Sequence, residues 1–379
     1  MKVLMISTDS KILDSGSAEE ARMILYGTIC EELHIVISTN DQRPTTNNEK
    51  IQIAENVFVY PAVASNKILA LLRTYFTGIR ILSTTYNLQP TTYLVTAQDP
   101  FENGFVGWLI AKKIKAKLQL QVHTDFLSPY FWKESLLNKI RVLLAKFLLP
   151  KADGIRVVSQ RIKESLRPTT YNLQTVPIVL PIFVDIEKIR ETVPTIDLRK
   201  KYPQFDFLVL MASRLTREKN IGLAIEAMRE AVKKYPRAGL VIAGSGPEES
   251  NLKLKTENLK LGNNVVFEPW QNDMISYYKT ADCFLSTSNY EGFGMSLVEA
   301  AASGCPIVTT DVGMVGSVLR SEEDVLVCPV GDAHCLSDCL LRLIRFPELR
   351  RELSPRAQTS IEALITNKEE YLHRMGESW

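Results

Sequence analysis

Two glutamates stand eight residues apart in the segment NYEGFGMSLVEAAASGCP (289–306). Glu291 precedes two glycines, whereas Glu299 lies in a run of small and apolar residues. A carboxylate in an Ala-rich helix that packs on a sheet is costly unless a donor satisfies it. The pair is therefore a candidate for ligand binding. The alternative is that both are structural, Glu291 as a solvated turn residue and Glu299 as the partner of a backbone or arginine donor.

The turn that carries Glu291 leads into a predicted helix, MSLVEAAASG, which Gly304 closes in the C-terminal capping position. Gly292 and Gly294 allow the backbone to approach a ligand. Free N–H groups and the positive end of the helix dipole favour an anion at the start of such a helix. The segment therefore predicts an anion-binding site after the strand CFLSTS (283–288).

Two cations lie in the loop RLTREKN after another predicted strand, FLVLMAS (207–213). Arg214 and Lys219 in this loop can clamp a diphosphate. The next loop, AGSGPEE, offers Gly244 and Gly246 where larger side chains would block a ligand. Position 249 is Glu, so the third glycine of a dinucleotide-binding fingerprint is missing, which argues against a dehydrogenase.

Short runs rich in Val, Ile and Leu alternate with segments at helical spacing along the whole chain. Strands that are apolar on both faces predict doubly wound parallel sheets. The pattern restarts after a segment with four prolines between Val176 and Gln204. We therefore expect an α/β protein with two Rossmann-like domains, residues 1–185 and 186–353, and a helical segment 354–379 that packs back on the first domain. Ligands bind at the carboxyl ends of parallel strands, so the cleft between the two domains is the predicted site.

The composition limits the classes of protein that fit. With 379 residues, 45% of them hydrophobic, the chain can bury a large core, and its net charge of +2 argues against a nucleic-acid binder. The N-terminal apolar run is too short for a secretory signal, and no stretch is apolar enough to span a membrane. The six cysteines show no paired framework, which predicts a reducing, cytoplasmic location.

The motifs SRLTREKN, VIAGSGPEE, YYKTADCFLSTSNYEGFGMSLVEAAASGCPIVTTDVG and VLVCPVGD together resemble those of glycosyltransferase family 4, the retaining nucleotide-sugar enzymes with the GT-B fold. The resemblance extends from about Phe207 to Asp332 and is only architectural over residues 1–185. It implies that Glu291 contacts hydroxyls of the donor sugar, that Glu299 binds the ribose, and that Arg214 and Lys219 bind the diphosphate. The implied donor-binding residues are Glu299, Gly292, Phe293, Gly294, Met295, Ser296, Gly244, Gly246 and Gly16.

His123 ends the predicted strand LQLQVH and resembles a family histidine that hydrogen-bonds the sugar near its 6-hydroxyl. The loop after the first strand has Gly16 alone, where many family members have two adjacent glycines. Gly16 either lies against the donor phosphate or acceptor, or forms a plain helix-entry turn.

No metal and no cofactor are expected. His334, Cys335 and Cys339 lack the spacing of a zinc site and fit a buried helix face, and the chain has no Asp-x-Asp motif. The resemblance implies that a sugar leaves its diphosphate with retention of configuration by front-face attack. Two other classes of protein remain open on this fold. The first is an enzyme of another kind, a sugar-nucleotide epimerase or a phosphorylase. The second is a non-catalytic sugar-nucleotide-binding protein.

The acceptor is predicted to be a glycan or a lipid-linked molecule. Segments 66–82 and 132–151 place Leu, Ile and Phe at helical spacing with Lys and Arg between them. This pattern is typical of helices that lie on anionic membranes, although helices that face a core look similar. Peripheral contact with the inner face of a membrane is therefore one prediction for this chain, and nucleic acid is not an expected partner.

Overall fold

The computed structural model describes residues 1–39, 50–84, 93–167, 171–362, 364 and 367–379. The chain forms two compact units. Unit 1 consists of Met1–Pro181 and Asn367–Trp379, and unit 2 of Ile182–Thr366. The predicted third segment, 354–379, is therefore divided between them.

Unit 1 contains an eight-stranded sheet with the order β3-β4-β2-β1-β5-β6-β7-β8. All neighbouring strands are parallel except β3, which runs antiparallel to β4 at one edge. The central strands are buried on both faces because they consist of Val, Ile, Leu and Met with few polar residues. The strands are β1 (Lys2–Ser7), β2 (Glu32–Thr39), β3 (Ile51–Ala54), β4 (Val57–Val63), β5 (Tyr93–Ala97), β6 (Lys117–Val122), β7 (Gly154–Val157) and β8 (Ile178–Val179).

The helices of unit 1 connect these strands. Helices α2, α3 and α5 lie side by side, because α3 packs against both α2 and α5. The helices are α1 (Ala18–Gly27), α2 (Lys67–Thr84), α3 (Glu102–Ile114), α4 (Pro129–Glu134), α5 (Leu136–Leu148) and α6 (Gln160–Ser165).

Unit 2 contains a six-stranded parallel sheet with the order β11-β10-β9-β12-β13-β14. One hydrophobic core joins it to the helices around it, and Val209, Ile242 and Leu285 from its strands are fully or almost fully buried there. The strands are β9 (Phe207–Ala212), β10 (Ala238–Ala243), β11 (Val265–Glu268), β12 (Cys283–Ser286), β13 (Ile307–Thr310) and β14 (Leu326–Cys328). The helices are α7 (Ile186–Glu191), α8 (Leu198–Lys201), α9 (Ile221–Lys234), α10 (Glu249–Asn258), α11 (Met274–Thr280), α12 (Met295–Ala302), α13 (Ala333–Arg345) and α14 (Pro347–Glu362).

The last two helices of the chain belong to different units. Helix α14 packs on α12 of unit 2. The following helix, α15 (Lys368–Glu377), packs in unit 1, where the hydroxyl of Tyr371 lies 2.8 Å from that of Tyr26. The fully buried Arg156 also donates to the Tyr371 hydroxyl at 3.1 Å. Only the last part of the predicted segment 354–379 therefore belongs to unit 1.

The cysteines of unit 2 differ from the sequence expectation. Cys328 at the end of β14 and Cys335 in the first turn of α13 are joined by a disulfide, so the expectation of no paired cysteines is wrong at this point. The pairing arises because the short loop after β14 returns α13 directly onto that strand, a proximity that the spacing of seven residues did not indicate. The sulfur of Cys339, one helical turn later, lies 3.6 Å from that of Cys328.

None of the helices in the described ranges combines the length and the apolar character that crossing a bilayer requires.

Candidate functional site

Three of the predicted site residues of unit 2, Lys219, Glu291 and Ser296, meet at the carboxyl ends of β9 and β12. A pocket there is lined by Ser213, Lys219, Ser288, Glu291 and Ser296, together with neighbouring strand residues. Ligands of parallel α/β sheets bind at this edge, so the location agrees with the general rule.

Lys219 and Glu291 form an ion pair in this pocket. The Nζ atom of Lys219 lies 2.5 Å from Oε1 of Glu291, and both side chains are less than one fifth exposed. The hydroxyl of Ser288 donates to the same carboxylate oxygen at 2.7 Å. The other oxygen, Oε2, accepts no hydrogen bond from the described residues, so it can accept one from a ligand hydroxyl.

The loop after β9 is fastened to the end of β12, which fixes Lys219. The hydroxyl of the fully buried Thr287 donates to the backbone carbonyls of Lys219 and Asn220, both at 3.0 Å. Asn220 has a left-handed backbone with φ of 45°. Its side-chain Nδ2–H donates to Oδ1 of Asn289 at 3.0 Å. These bonds hold the lysine beside the glutamate without a ligand.

A glycine that the sequence analysis did not single out determines the path of the Glu291 loop. Gly313 has φ of 60°, and a Cβ atom there would lie 2.5 Å from the carbonyl oxygen of Phe293. The backbone N–H of Met314 donates to that same carbonyl at 3.0 Å. Only glycine allows this close approach. Gly313 was visible in the motif TTDVG, but its contact with the glutamate loop depends on the parallel pairing of β12 and β13.

Helix α12 begins at the predicted anion site. Gly294 precedes it with φ of 99°, and the backbone N–H groups of Met295 and Ser296 have no acceptor among the described residues. These are two of the four amides that the start of a helix leaves unpaired. Gly292 and Phe293 are buried below the turn. Gly304 ends the helix with φ of 73°, as its predicted capping position requires.

Glu299 lies in the second turn of α12 and is half-buried. Its Oε2 atom accepts a hydrogen bond of 3.0 Å from the hydroxyl of Tyr278. Burial raises the pKa of Glu299, and the bond from Tyr278 lowers it only in part. The partner of this carboxylate is therefore a tyrosine rather than the backbone or arginine donor of the structural alternative. Because the Tyr278 hydroxyl is a single neutral donor, the carboxylate of Glu299 can still accept hydrogen bonds from ligand hydroxyls.

Arg214 does not join the Lys219 pair. Its guanidinium is 72% exposed and contacts Oε1 of Glu218 at 3.2 Å, four residues along the chain. An exposed pair of this kind contributes little stability, so the side chain can exchange this partner for a phosphate at small cost.

Gly244 and Gly246 are required by the packing of the protein chain itself. A Cβ atom at Gly244 would lie 1.9 Å from the carbonyl oxygen of Ser213, and one at Gly246 would lie 2.4 Å from that of Leu215. The two loops therefore touch backbone to backbone. The hydroxyl of Ser213 at this contact is buried and has no hydrogen-bond partner among the described residues. It was not singled out from the sequence, although it directly precedes Arg214.

His123 lies in unit 1, directly after β6. Its Nε2–H donates to Oε1 of Gln121 at 3.0 Å, and Arg156 donates to the same oxygen at 3.2 Å. Burial lowers the pKa of His123 to about 3, and the positive charges of Arg156 and Arg22 act in the same direction. The imidazole is therefore neutral near pH 7, and its Nδ1 atom can accept a hydrogen bond but cannot donate one.

Gly16 lies in the turn before α1, with φ of 81°. Its N–H donates to the carboxylate of Glu20 at 2.6 Å, and Ser17 caps the helix through the backbone N–H of Glu20. These bonds are those of a helix-entry turn.

Cys328, Cys335 and Cys339 have sulfur atoms within 4.8 Å of one another, but two of these sulfurs form the disulfide. His334, which the sequence analysis considered with them, is largely exposed and contacts Asp338 at 3.1 Å. The helix-face interpretation therefore agrees with the geometry of Cys339, which is buried in the core of unit 2, and of Cys335, which packs partly buried against that core, but not with that of His334.

Residues 196–360 match the family described as glycosyl transferases group 1. Over 269 residues the chain is 26% identical to an uncharacterized glycosyltransferase of Methanocaldococcus jannaschii, covering 68% of this chain and 64% of that protein. It is 28% identical over 228 residues to alpha-monoglucosyldiacylglycerol synthase of Streptococcus pneumoniae, covering 57% of this chain and 51% of the synthase. The chain thus spans less than two thirds of these two relatives.

A solved structure of Anabaena HepE in complex with UDP and glucose is similar over the whole chain. The TM-score is 0.77 at 20% identity, and the similarity covers 100% of this chain and 99% of HepE. At this identity the similarity concerns the fold. The predicted fold class is confirmed: the chain has the GT-B fold of two Rossmann-like α/β domains. Residues 196–360 are similar to the glycosyl transferases group 1.

Proposed function

We propose that the protein is a retaining glycosyltransferase of family 4. It moves a hexose-type sugar from a nucleotide-diphosphate sugar to a glycan or lipid-linked acceptor in cell-envelope polysaccharide or glycolipid synthesis. The observation that carries the proposal is the pair of Lys219 and Glu291 beside the unpaired amides at the start of α12. This arrangement offers a cation from the loop after β9, and a carboxylate and two N–H donors from the segment that begins α12.

The donor diphosphate binds to Lys219, Arg214 and the amides of Met295 and Ser296. Lysine has three donors, so Lys219 can keep its bond to Glu291 and still contact a phosphate oxygen. Arg214 reaches the phosphate by leaving its exposed contact with Glu218. Glu299 accepts hydrogen bonds from the ribose hydroxyls, and these offset the cost of its burial.

We assign the transferred sugar to the free oxygen of Glu291, and we take His123 as a second sugar contact from its resemblance to the family histidine. Glu291 accepts from sugar hydroxyls through Oε2, while Lys219 and Ser288 hold its other oxygen in place. His123 accepts from a hydroxyl near position 6 through Nδ1, since its Nε2–H is bonded to Gln121. The neutral state of His123 suits this role, because a protonated ring could only donate.

The reaction breaks the bond between the anomeric carbon and the diphosphate oxygen. The acceptor oxygen bonds to the anomeric carbon on the same face, and its proton passes to the leaving phosphate. Lys219, Arg214 and the dipole of α12 stabilise the negative charge that develops on the diphosphate. We assign this charge stabilisation to the protein and not to a metal ion.

We place the protein in the cytoplasm, in peripheral contact with the inner face of the membrane. An enzyme that uses a lipid-linked acceptor must reach the bilayer surface. The name of the pneumococcal relative, a monoglucosyldiacylglycerol synthase, is compatible with a lipid acceptor for this chain.

A donor panel tests the proposal. Thermal unfolding of the purified protein is measured with UDP-, GDP-, ADP- and CMP-sugars, starting with UDP-glucose because HepE was solved with UDP and glucose. A ligand at 100 times its dissociation constant stabilises the folded state by about 2.7 kcal/mol, which raises the midpoint by several degrees. Stabilisation by one donor followed by release of its diphosphate in the presence of acceptor membranes supports transfer. Binding with epimerisation of the sugar, or binding without any turnover, would favour the other two functions on this fold.

A further inference from the structure

Exposed apolar side chains are concentrated on the helices of one face of unit 1. Twelve of the twenty large apolar side chains that are exposed in the described residues belong to α2, α3, α4 and α5, against four in the whole of unit 2. Soluble monomers seldom expose contiguous apolar patches, so this concentration indicates an interaction surface. We call it the docking face; it consists of Ile68, Leu69, Leu72, Phe76, Phe105, Tyr130, Trp132, Leu136, Leu137, Ile140, Leu143 and Phe147.

Helix α5 shows the pattern most clearly. Its exposed residues Leu136, Ile140, Leu143 and Phe147 are spaced so that they form one stripe along the helix, and each is at least 46% exposed. The buried residues of α5, which include Val142 and Ala145, form the opposite side against unit 1. Helix α5 is therefore apolar both towards the core and towards solvent.

Helix α2 repeats this arrangement. Ile68, Leu72 and Phe76 succeed one another every four residues and are 50–73% exposed. Ala70 and Thr74, on the other side of the helix, are buried. The two stripes belong to one surface because α2 and α5 both pack against α3.

Contacts across α3 hold the stripes together. Glu102 at the start of α3 accepts from Lys67 of α2 at 2.6 Å and from Arg141 of α5 at 3.0 Å. Further along α3, the ring of Trp108 lies 5.5 Å from that of Phe147. The docking face therefore has a fixed shape in the folded protein.

The helices that carry the docking face are strongly basic. From Lys67 to Lys151 these helices and the short turn after α5 carry ten Lys or Arg residues and two acids, an excess of eight. One of the acids, Glu102, is already paired twice. Lys139 and Lys146 are exposed along one edge of the α5 stripe, and the Nζ atom of Lys151 lies 4.2 Å from the ring centre of Phe147.

This charge decides which partner fits. A second copy of the chain, docked through the same face, would bring the cations of these helices, Lys139 and Lys146 among them, against the same cations of its partner. An anionic bilayer accommodates both features, because apolar side chains enter the boundary of the acyl chains while lysines contact lipid phosphates. We propose that the docking face binds the surface of an anionic lipid bilayer, with the α5 and α2 stripes inserted and Lys139 and Lys146 at the headgroups.

Vesicle flotation tests this proposal without any sugar nucleotide, so the result is independent of the proposed transferase activity. The protein is mixed with vesicles of phosphatidylglycerol or of phosphatidylcholine. We expect about tenfold or greater preference for phosphatidylglycerol and loss of that preference between 0.05 and 0.5 M salt, as screened attraction requires. The double variant Ile140→Ser/Leu143→Ser should lower binding by about tenfold, and Lys139→Gln/Lys146→Gln should reduce the preference for the anionic lipid by a similar factor.

The matched control is Leu254→Ser/Lys200→Gln, which makes the same kinds of change at exposed positions of unit 2. It should bind vesicles like the unchanged protein. Thermal unfolding of all variants checks that each is folded. Equal binding of both lipids by the unchanged protein, or full binding by the α5 variants, overturns the proposal. So does a lipid-free dimer, seen by sedimentation, that Ile140→Ser/Leu143→Ser dissociates.

Discussion

Lys219 is the residue on which the proposed charge stabilisation depends most. Replacement by Ala removes both a phosphate donor and the partner of Glu291, so turnover should fall by ~10²-fold or more, as for loss of a donor to developing charge. The control is Lys233→Ala, since Lys233 is exposed on α9 and pairs with Glu230 of the same helix. Initial rates of diphosphate release measure the effect. Turnover within twofold of the unchanged protein would remove Lys219 from the mechanism.

The two glutamates should separate in a binding experiment. Glu299→Gln would lose the proposed charge-assisted bond to the ribose, so the affinity for the free nucleoside diphosphate should fall by ~1.5–3 kcal/mol. Glu291→Gln should spare that affinity and damage transfer, since Glu291 is assigned to the sugar alone.

Calorimetric titration with the diphosphate and with the intact donor distinguishes the two variants. Glu257→Gln on α10 is the control, because Glu257 has no side-chain role in the proposed site. An equal loss of diphosphate affinity in both variants would contradict the division between ribose and sugar.

His123 makes the stability of unit 1 depend on pH. Its pKa is about 3 in the folded protein against about 6.5 in an unfolded chain, so the unfolded state binds the additional proton between these values. The free energy of unfolding should therefore fall as the pH drops below about 6.5. Denaturant unfolding at pH 7 and pH 5 should show a smaller decrease for His123→Gln. The same decrease in both proteins would mean that the ring is not held neutral.

The disulfide between β14 and α13 has a measurable consequence for the stability of unit 2. It closes a short loop, with a sequence separation of seven, and should stabilise unit 2 by ~2 kcal/mol on the chain-entropy account. A reducing agent should therefore lower the unfolding temperature, and Cys335→Ser should remove that effect. Cys30→Ser, which changes a free cysteine of unit 1, should retain it.

Thiol titration of the unreduced, denatured protein provides a second readout. Four free thiols are expected among the six cysteines. A count of six thiols, with no effect of the reducing agent, would show that the bridge does not form in solution.

The sequence predicted those strands whose own residues form a recognisable apolar run. The predicted strand FLVLMAS (207–213) becomes β9 almost residue for residue, because buried parallel strands are apolar on both faces. Strand β3 was missed, since its residues Ile51–Ala54 lie at the antiparallel edge and none of them is fully buried.

The site was predictable only where a motif lies within one loop. Glu291 and Gly294 could be read from a single turn, and Gly304 ends its helix as expected. The contact of Lys219 with Glu291 joins residues 72 positions apart, and it depends on β9 and β12 being neighbours in the sheet. The role of Gly313 likewise depends on a neighbouring strand and not on local sequence.

Transfer should survive EDTA, because protein groups supply all of the proposed charge stabilisation at the diphosphate. The chain has no Asp-x-Asp motif with which to hold a divalent cation at the diphosphate. Initial rates are measured after EDTA treatment, with and without added Mg²⁺ or Mn²⁺. A control with a metal-dependent glycosyltransferase confirms that the chelator removed the ion. Loss of transfer on chelation, with recovery on adding either ion, would refute the metal-free mechanism.

The placement of α15 also affects how the protein is made. Unit 1 is built from two separate stretches, and residues 182–366 of unit 2 lie between them in the chain. A ribosome therefore synthesises all of unit 2 before it adds the helix that supplies Tyr371 to the buried Arg156. During that interval the guanidinium lacks one acceptor, and the surface that α15 covers, including Tyr26, is open. Unit 2 can complete its folding first, and the first half of the chain is the last part to reach its final form.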